Sequence, residues 1–392
     1  MDELFKDRFT CQLAEQNYEE CYGLLNSYQC SHKMMKSLQG LIVFEMQYYN
    51  FTPASLQDPN RDHAIRDIYE EVRAGLTTSD DSFFIEILHL IQIQLKTCQI
   101  YKLLSQSDYQ IPENITSLCE SYLKETSECD HYDLRPFQET MVCELTSIKN
   151  LVTAFTSLSK FNFLQTIIAL TKAHSSIQQW EKIFRDKKYS PISHSNSSDD
   201  YNLLYRYLVK MLHGLIGKAT LYFERTLSDG NLLENEEYYN RRKVQSKCAE
   251  LKIHYIALLL DKRENEVLLN WQEGGYRCKR KNSSLTSTIP DKFVPVFKHN
   301  WKPEELPNET EATLYSALQS ESSTIIKANH RVSEMMYNSL DLYFHFCKVD
   351  VHVYLASAYA YASLRPKGEA KAITEFINQL CTQLRSLTPR VN

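Results

Sequence analysis

The chain has 392 residues, which at about 150 residues per domain predicts about two or three domains. Its 43% hydrophobic and 24% charged content, with 25 Tyr and 17 Phe, excludes a largely disordered chain. Only 9 residues are glycine, which favours long helices and argues against a glycine-rich phosphate loop. The formal net charge of −5 provides no broad cationic field, so no nucleic-acid partner is expected.

The cysteine count and the apolar runs predict a cytoplasmic protein. The 11 cysteines are an odd number scattered along the chain, and residues 1–10 carry no signal peptide. We therefore expect reduced thiols. The longest run without Asp, Glu, Lys or Arg, Val351–Leu364, is shorter than the roughly 18 residues that suggest a spanning helix. The sequence thus predicts no transmembrane segment.

Apolar residues recur at helical spacing from Phe9 to about Leu251, which predicts a helical bundle. Phe83–Leu104 is apolar on nearly all sides, as a central helix surrounded by others requires. Core-facing stripes are predicted over Leu204–Tyr222 and at Ile167, Leu170, His174, Ile177, Trp180 and Phe184. Helix starts are predicted at Thr78–Asp81 and Ser197–Asp200, and breaks at Asn50–Asn60, Ser107–Pro112, Asp130–Pro136 and Lys187–Ser198.

Beyond Leu251 shorter apolar runs predict strands. Ile253–Leu260 and Val267–Leu269 are predicted to form a β-hairpin. Further strands are predicted at Phe293–Phe297, Ala312–Ala317 and His352–Tyr359, helices at Ser322–Phe346 and Gly368–Ser386, and a loop at Glu273–Asn300. The predicted fold class is α+β, mostly α: a helical bundle domain over residues 1–249, followed by a smaller α+β domain over 250–392 with helices on an antiparallel sheet.

A search for chemistry predicts no catalytic, cofactor or metal site. His213–Thr220 resembles a phosphate loop faintly, but its spacing is too short and it lies within an amphipathic helix. Cys119, Cys129 and His131 lack the spacing of a zinc site. We interpret His174 as a core histidine, because no paired nucleophile is recognisable near it in the sequence.

Charged and aromatic clusters have two interpretations each. Arg277–Lys281 and Arg241–Lys243 are interpreted as solvated charge, with contact to an acidic partner or an anionic membrane as the alternative. The adjacent carboxylates Glu70–Glu71 and Glu236–Glu237 point to different helix faces and do not form an acid–base pair. The tyrosine pairs are interpreted as ordinary packing, with interface anchoring as the alternative: Tyr48–Tyr49 and Tyr238–Tyr239.

Several segments carry, in order, a resemblance to a known family. Ala173–Phe184 has the pattern Ala-His-x-x-aliphatic-Gln-x-Trp-x-x-Ile-Phe, and in this it resembles a helix of the KICSTOR subunit 2 family. The resemblance extends from about Leu158 to Leu387 and departs over Glu273–Thr310. The other matching segments are Leu203–Leu227 with Lys218 and Tyr222–Phe223, Ile256–Asp261, Tyr343–Tyr354 and Phe376–Leu384.

The resemblance implies a helical domain followed by an α+β domain, and no catalytic motif. It implies a scaffold, cytoplasmic and recruited to the lysosomal surface, whose partners are the other KICSTOR subunits and the GATOR GTPase-activating complex. Such a scaffold restrains target-of-rapamycin signalling when amino acids or glucose are scarce. Two alternatives stay open: a small-GTPase regulator acting through the α+β domain, and an enzyme whose site is assembled from residues distant in sequence.

Overall fold

A computed structural model describes residues 3–77, 79–106, 111–185, 202–224, 227, 239–261, 293–302, 304, 309–327, 333–337, 341–360 and 367–385. Within these residues the fold is mostly α with a smaller α+β part, which confirms the predicted fold class. The chain divides into two compact units. The described residues of the first fall within 1–107, 111–153 and 169–212, and those of the second within 154–168 and 213–392. The predicted domain boundary after residue 249 stays a prediction.

The described α-helices, numbered in chain order, are α1 (Glu3–Ala14), α2 (Tyr18–Ser27), α3 (His32–Tyr49), α4 (Pro59–Leu76), α5 (Ser82–Gln106), α6 (Asn114–Ser127), α7 (Arg135–Ser159), α8 (Phe163–Arg185), α9 (Leu203–Tyr222), α10 (Arg241–Leu251), α11 (Thr310–Lys327) and α12 (Lys367–Arg385). Two short 3₁₀ helices, Pro53–Gln57 and Tyr132–Leu134, precede α4 and α7. They occupy two of the predicted breaks, so these two predictions are confirmed.

The first unit is built around α5. This helix is buried on nearly all sides, with 14 buried residues between Phe83 and Leu104, which confirms the predicted central helix. Aromatic side chains fill the surrounding core: the ring of the buried Trp180 lies 6.1 Å from that of Tyr49 and 5.8 Å from that of Tyr205.

Helix starts follow capping chemistry. Asp81 Oδ1 accepts a hydrogen bond from the amide of Phe83 at 3.1 Å, which confirms the start predicted before α5. At α9 the cap is Asn202, whose Oδ1 accepts from the amide of Tyr205 at 2.6 Å. Three predictions fall wholly or mostly outside the described residues: the helix start at Ser197–Asp200, the break at Lys187–Ser198 and most of the break at Ser107–Pro112.

The second unit contains a five-stranded antiparallel sheet of order β2–β1–β5–β4–β3. Its strands are β1 (Tyr255–Asp261), β2 (Phe293–Asn300), β3 (Ser333–Tyr337), β4 (Leu342–Lys348) and β5 (Val353–Ala360). β1 is buried along its whole length, as its continuous apolar sequence predicts for a strand with both faces covered. The strands predicted near β1, β2 and β5 are confirmed, whereas Val267–Leu269 lies outside the described residues. The loop predicted at Glu273–Asn300 is wrong over Phe293–Asn300, where pairing with β1 forms β2, and the rest of that segment lies outside the described residues.

One face of the sheet packs against α11. Leu314, Tyr315 and Leu318 from this helix share a buried cluster with Tyr255 and Phe344 of the sheet. The hydroxyls of Tyr255 and Tyr315 lie 3.1 Å apart and satisfy one another within the cluster. Helix α12, predicted as Gly368–Ser386, is confirmed and buries Ile373, Phe376, Ile377, Leu380, Cys381 and Leu384.

Two further predicted elements of this unit are wrong. Ala312–Ala317 belongs to helix α11, because Leu314, Tyr315, Ala317 and Leu318 form one apolar helical face. Ser322–Phe346 is not one helix: α11 ends at Lys327, and β3 and β4 follow as an antiparallel pair that aligns Ser333 with Phe346. Cross-strand pairing and burial in the sheet override the helix-like spacing of the apolar residues there.

The close approach of α4 to α3 gives a first prediction. A Cβ atom on Gly75 would lie 1.5 Å from Ser37 Oγ and 2.8 Å from Ser37 Cβ. The hydroxyl can rotate away, but the Cβ cannot move without the backbone of α3. Gly75→Ala should therefore lower the free energy of unfolding by about 1–3 kcal/mol, measured by urea denaturation.

Gly23→Ala is the matched control, because a Cβ on this exposed glycine of α2 meets nothing within 4 Å. That change should instead raise stability by about 0.5–1 kcal/mol, since alanine is the better helix former. Equal effects of the two substitutions would contradict the close contact of α3 with α4.

Candidate functional site

A buried ion pair joins α9 to the turn between β4 and β5 in the second unit. Lys218 Nζ donates to Asp350 Oδ2 at 2.7 Å, and the two side chains are only 2% and 1% exposed. The same oxygen accepts from the hydroxyls of Tyr222 at 3.0 Å and Ser159 at 3.2 Å. Asp350 Oδ1 accepts from the amide of Val351 at 2.8 Å. The carboxylate is thus surrounded by donors, as a buried charge requires.

The surroundings of Lys218 compensate for its lost hydration. Its ammonium lies 4.8 Å from the ring centroid of Phe155 and 5.1 Å from that of Tyr222. The turn is held independently by the amides of Val349 and Asp350, which donate to the carbonyl of Val353 at 2.9 and 3.1 Å. Burial and the Asp350 carboxylate raise the pKa of Tyr222 well above its ordinary value, so the hydroxyl remains a donor.

A second buried polar network lies in the first unit and contains two carboxyls. Glu144 Oε1, on α7, accepts from the hydroxyls of Tyr48 at 2.7 Å and Tyr101 at 2.8 Å. Glu45, on α3, accepts from Gln94 Nε2 at 3.3 Å. Glu45 Oε1 and Gln94 Oε1 have no hydrogen-bond partner within the described part of the chain. No cation of the described residues is paired with either carboxyl.

Burial without a cation makes both carboxyls weak acids. Burial raises the pKa of Glu144 to about 7, although the hydrogen bonds from Tyr48 and Tyr101 oppose that rise. Burial also raises the pKa of Glu45 well above its ordinary value, and the neighbouring Glu144 adds to the rise. The two sites therefore carry different chemistry: the second unit buries a charge pair, and the first buries carboxyls that favour their neutral form.

The candidate segments weighed in α9 and around α6 lie within helices or beside them. His213–Thr220 lies inside the continuous helix α9 and does not form a loop. Its lysine, Lys218, binds the Asp350 carboxylate. Cys119 is buried in α6, Cys129 is buried after it, and His131 packs its ring 5.4 Å from Phe83. No three His, Cys, Asp or Glu side chains of the described residues are grouped as a metal site requires.

The other predicted candidates lie mostly on the surface. The core assignment of His174 is wrong: it is exposed, because the buried face of α8 runs through Ala173, Ile177 and Trp180. Arg241 Nε lies 3.2 Å from Glu224 Oε1 at the start of α10. Glu70 forms an ion pair with Arg73, and Glu71 forms one with Lys36. Arg277–Lys281, Glu236–Glu237 and Tyr238 lie outside the described residues.

The tyrosine pairs serve the core rather than the surface where they are described. Tyr48 and Tyr49 are buried, and Tyr48 belongs to the Glu144 network. Tyr239 is buried and donates from its hydroxyl to Gln379 at 3.0 Å. Ordinary packing is thus the correct interpretation of these three residues.

Sequence reasoning missed both buried networks, although one signal was present for each. Lys218 interrupts the apolar stripe that contains Leu215, Ala219 and Tyr222, so a charged residue falls on a buried face. Glu144 interrupts a similar stripe on α7. A charge on such a face predicts a buried partner, because an isolated one is too costly. The identity of that partner could not be read from spacing.

Comparison with known proteins places the chain in a family. The family model described as "KICSTOR complex C12orf66 like" matches residues 81–388, which is most of the chain. The chain belongs to this KICSTOR family. KICSTOR subunit 2 of Xenopus laevis is 23% identical over 207 residues, which cover 49% of this chain and 46% of that relative. The alignment thus spans about half the length of the curated relative.

The KICSTOR family match includes most of the residues of the two networks. Ser159, Lys218, Tyr222 and Asp350 all lie within residues 81–388, as does Glu144. The match therefore covers parts of both compact units. Among the described residues no helix has the length and apolar character needed to cross a bilayer.

Removing the cation of the buried pair gives a second prediction. Lys218→Met keeps the side-chain length but leaves the Asp350 carboxylate buried without its cation. The change should lower the free energy of unfolding by about 3–5 kcal/mol, measured by urea denaturation.

Lys247→Met is the matched control, because Lys247 pairs with Glu250 at 2.7 Å while the side chains are 37% and 57% exposed. This surface substitution should change stability by no more than about 0.5 kcal/mol. If the two lysine variants unfold alike, the Lys218–Asp350 pair is not the buried contact described here.

The buried carboxyl of Glu144 gives a third prediction, about pH. Below pH 4.5 this carboxyl is protonated in the folded and unfolded states, and its stabilising contribution is fully present. As the pH rises towards 7 the unfolded chain releases the proton first, so folded stability should fall by about 3 kcal/mol through this group. Glu45 acts in the same direction.

Glu144→Gln keeps an acceptor for Tyr48 and Tyr101 but cannot ionise. It should reduce the fall in stability between pH 4.5 and 7 by the share due to Glu144 and leave the share due to Glu45, measured by denaturant unfolding at stepped pH. Glu139→Gln, at an exposed position of the same helix, is the control and should keep the profile of the unaltered chain. An unchanged profile in Glu144→Gln would exclude this carboxyl as its origin.

Proposed function

We propose that this chain is a non-catalytic scaffold subunit of a KICSTOR-like complex. The observation that supports the proposal most directly is the family match over residues 81–388. The similarity to KICSTOR subunit 2 of Xenopus laevis supports a subunit role in particular. The partners proposed on this basis are the other KICSTOR subunits.

The finer part of the proposal concerns recruitment. The scaffold is cytoplasmic, gathers at the lysosomal surface through its partners and recruits the GATOR GTPase-activating complex. It thereby restrains target-of-rapamycin signalling when amino acids or glucose are scarce. Its role is to hold partners by multiple contacts, in which buried anchors supply affinity and polar rims supply specificity.

The chemistry of the two buried networks supports a role without catalysis. Asp350 is 1% exposed and its oxygens already accept from Lys218, Tyr222, Ser159 and a backbone amide. Glu144 is 1% exposed and accepts from two tyrosine hydroxyls. A catalytic acid or base must reach a substrate atom, and these carboxyls are turned towards the chain's own donors.

Affinity purification tests the proposal, as a fourth prediction. The tagged full chain should recover the other KICSTOR subunits from fed cells and from cells starved of amino acids, and starved cells should also yield GATOR subunits. Lys247→Met should recover the same set as the unaltered chain, whereas Lys218→Met should recover less because it weakens the fold.

The outcomes separate the parts of the proposal. Recovery of no other KICSTOR subunit in either condition would overturn the scaffold role. Recovery of KICSTOR subunits without GATOR would overturn only the recruitment. In cells that lack the chain, target-of-rapamycin substrates should stay phosphorylated during starvation, and normal dephosphorylation there would contradict the regulatory role.

A further inference from the structure

Two buried cysteines lie on neighbouring elements, one on the sheet and one on the last described helix. Cys347 on β4 and Cys381 on α12 are 0% and 1% exposed, and their thiols lie within hydrogen-bonding reach of one another. Arg385 follows Cys381 by one helical turn. Its Nη2 donates to Cys347 Sγ and its Nε donates to the carbonyl of Lys348 at 2.6 Å. The second bond fixes the guanidinium beside the sulfur.

The environment assigns different roles to the two thiols. The hydrogen bond from Cys381 and the guanidinium of Arg385 lower the pKa of Cys347, although burial opposes them. Burial raises the pKa of Cys381 well above its ordinary value, so it keeps its proton. Elsewhere in the chain, burial raises the pKa of Cys119 and Cys248 to about 12. Cys347 is thus the more acidic of the two thiols and the one that forms a thiolate more readily.

We propose that Cys347 and Cys381 form a redox-sensitive site, which a hydroperoxide oxidises to an internal disulfide. This inference does not depend on the scaffold role. It requires a nucleophilic sulfur, a second thiol in contact with it and a cation that stabilises the thiolate. The side chains of Cys347, Cys381 and Arg385 provide all three.

The reaction has two steps. The Cys347 thiolate attacks one oxygen of the hydroperoxide, a sulfur–oxygen bond forms, the oxygen–oxygen bond breaks, and the leaving alkoxide takes a proton to become an alcohol, or water from hydrogen peroxide. Cys381 then loses its proton and attacks the Cys347 sulfur, expelling hydroxide, which leaves with that proton as water. In total, two thiols are oxidised to one disulfide and one hydroperoxide is reduced.

Access to the buried pair comes from local opening. Arg385 lies in the last turn of α12 and is only partly buried. The ends of helices open at a lower free-energy cost than their centres, and a hydroperoxide is small. We expect oxidation to follow such openings and to join α12 covalently to β4.

Differential thiol labelling with mass spectrometry tests the site in the full chain, as the fifth prediction. After treatment with hydrogen peroxide, free thiols are blocked under denaturing conditions, and peptides are analysed before and after reduction. A Cys347–Cys381 cross-linked peptide should appear at peroxide doses at which Cys119 and Cys248 are still free thiols and so carry the blocking group.

Two variants assign the steps. In Cys381→Ser the reaction should stop at a sulfenic acid on Cys347, which dimedone traps. Arg385→Met should slow oxidation about threefold to tenfold near neutral pH and move the pH–rate profile to higher pH. Without the guanidinium a smaller fraction of Cys347 is thiolate at a given pH, and the higher nucleophilicity of each remaining thiolate offsets only part of that loss. Arg385→Lys should restore part of the rate.

Cys248→Ser is the control, since it removes a buried thiol of α10, and should leave the cross-link and its rate unchanged. Thermal unfolding of every variant checks that it folds. The proposal is overturned if Cys347 reacts no faster than Cys248 in the unaltered, folded chain. A disulfide from Cys347 to another cysteine, or an Arg385→Met rate equal to that of the unaltered chain, would overturn it as well.

Discussion

The second unit depends on the contact between Lys218 and Asp350. A charge buried alone costs several kcal/mol, so neither side chain can stay in the core unless the other is in place. Since Ser159 and Tyr222 donate to the same carboxylate oxygen, the ends of α7 and α9 and the β4–β5 turn must be formed together. The position of the hairpin is therefore coupled to the helices by one carboxylate.

The first unit handles buried charge differently. Glu144 is held by two tyrosine hydroxyls and no cation, and hydroxyls stabilise a carboxylate less than an ammonium does. The carboxyl responds through its pKa, which rises to about 7, and favours the neutral form. The same core rule, that buried polar groups need partners, thus produces a fixed ion pair in one unit and a titratable group in the other.

Periodicity could predict the elements whose burial is simple. α5, α9, α12, β1 and β5 follow from apolar patterns, because a stripe or a continuous run fixes which faces are covered. Ser322–Phe346 failed because its apolar spacing fits both a helix and a hairpin, and the sheet decides between them. Asp350 could not be assigned a role, since its partners Lys218 and Ser159 are 132 and 191 residues away in sequence.

The buried networks bear on specificity more than on stability. A well-packed apolar core of the same volume would often be at least as stable as a buried ion pair, so stability alone does not explain Lys218 and Asp350. An ion pair, however, penalises every arrangement that separates its two charges, whereas apolar side chains tolerate several packings. In a scaffold of the proposed kind, this penalty keeps the binding surfaces in one geometry. Partners that bind at several surfaces require that geometry, and a core with a single favoured arrangement maintains it.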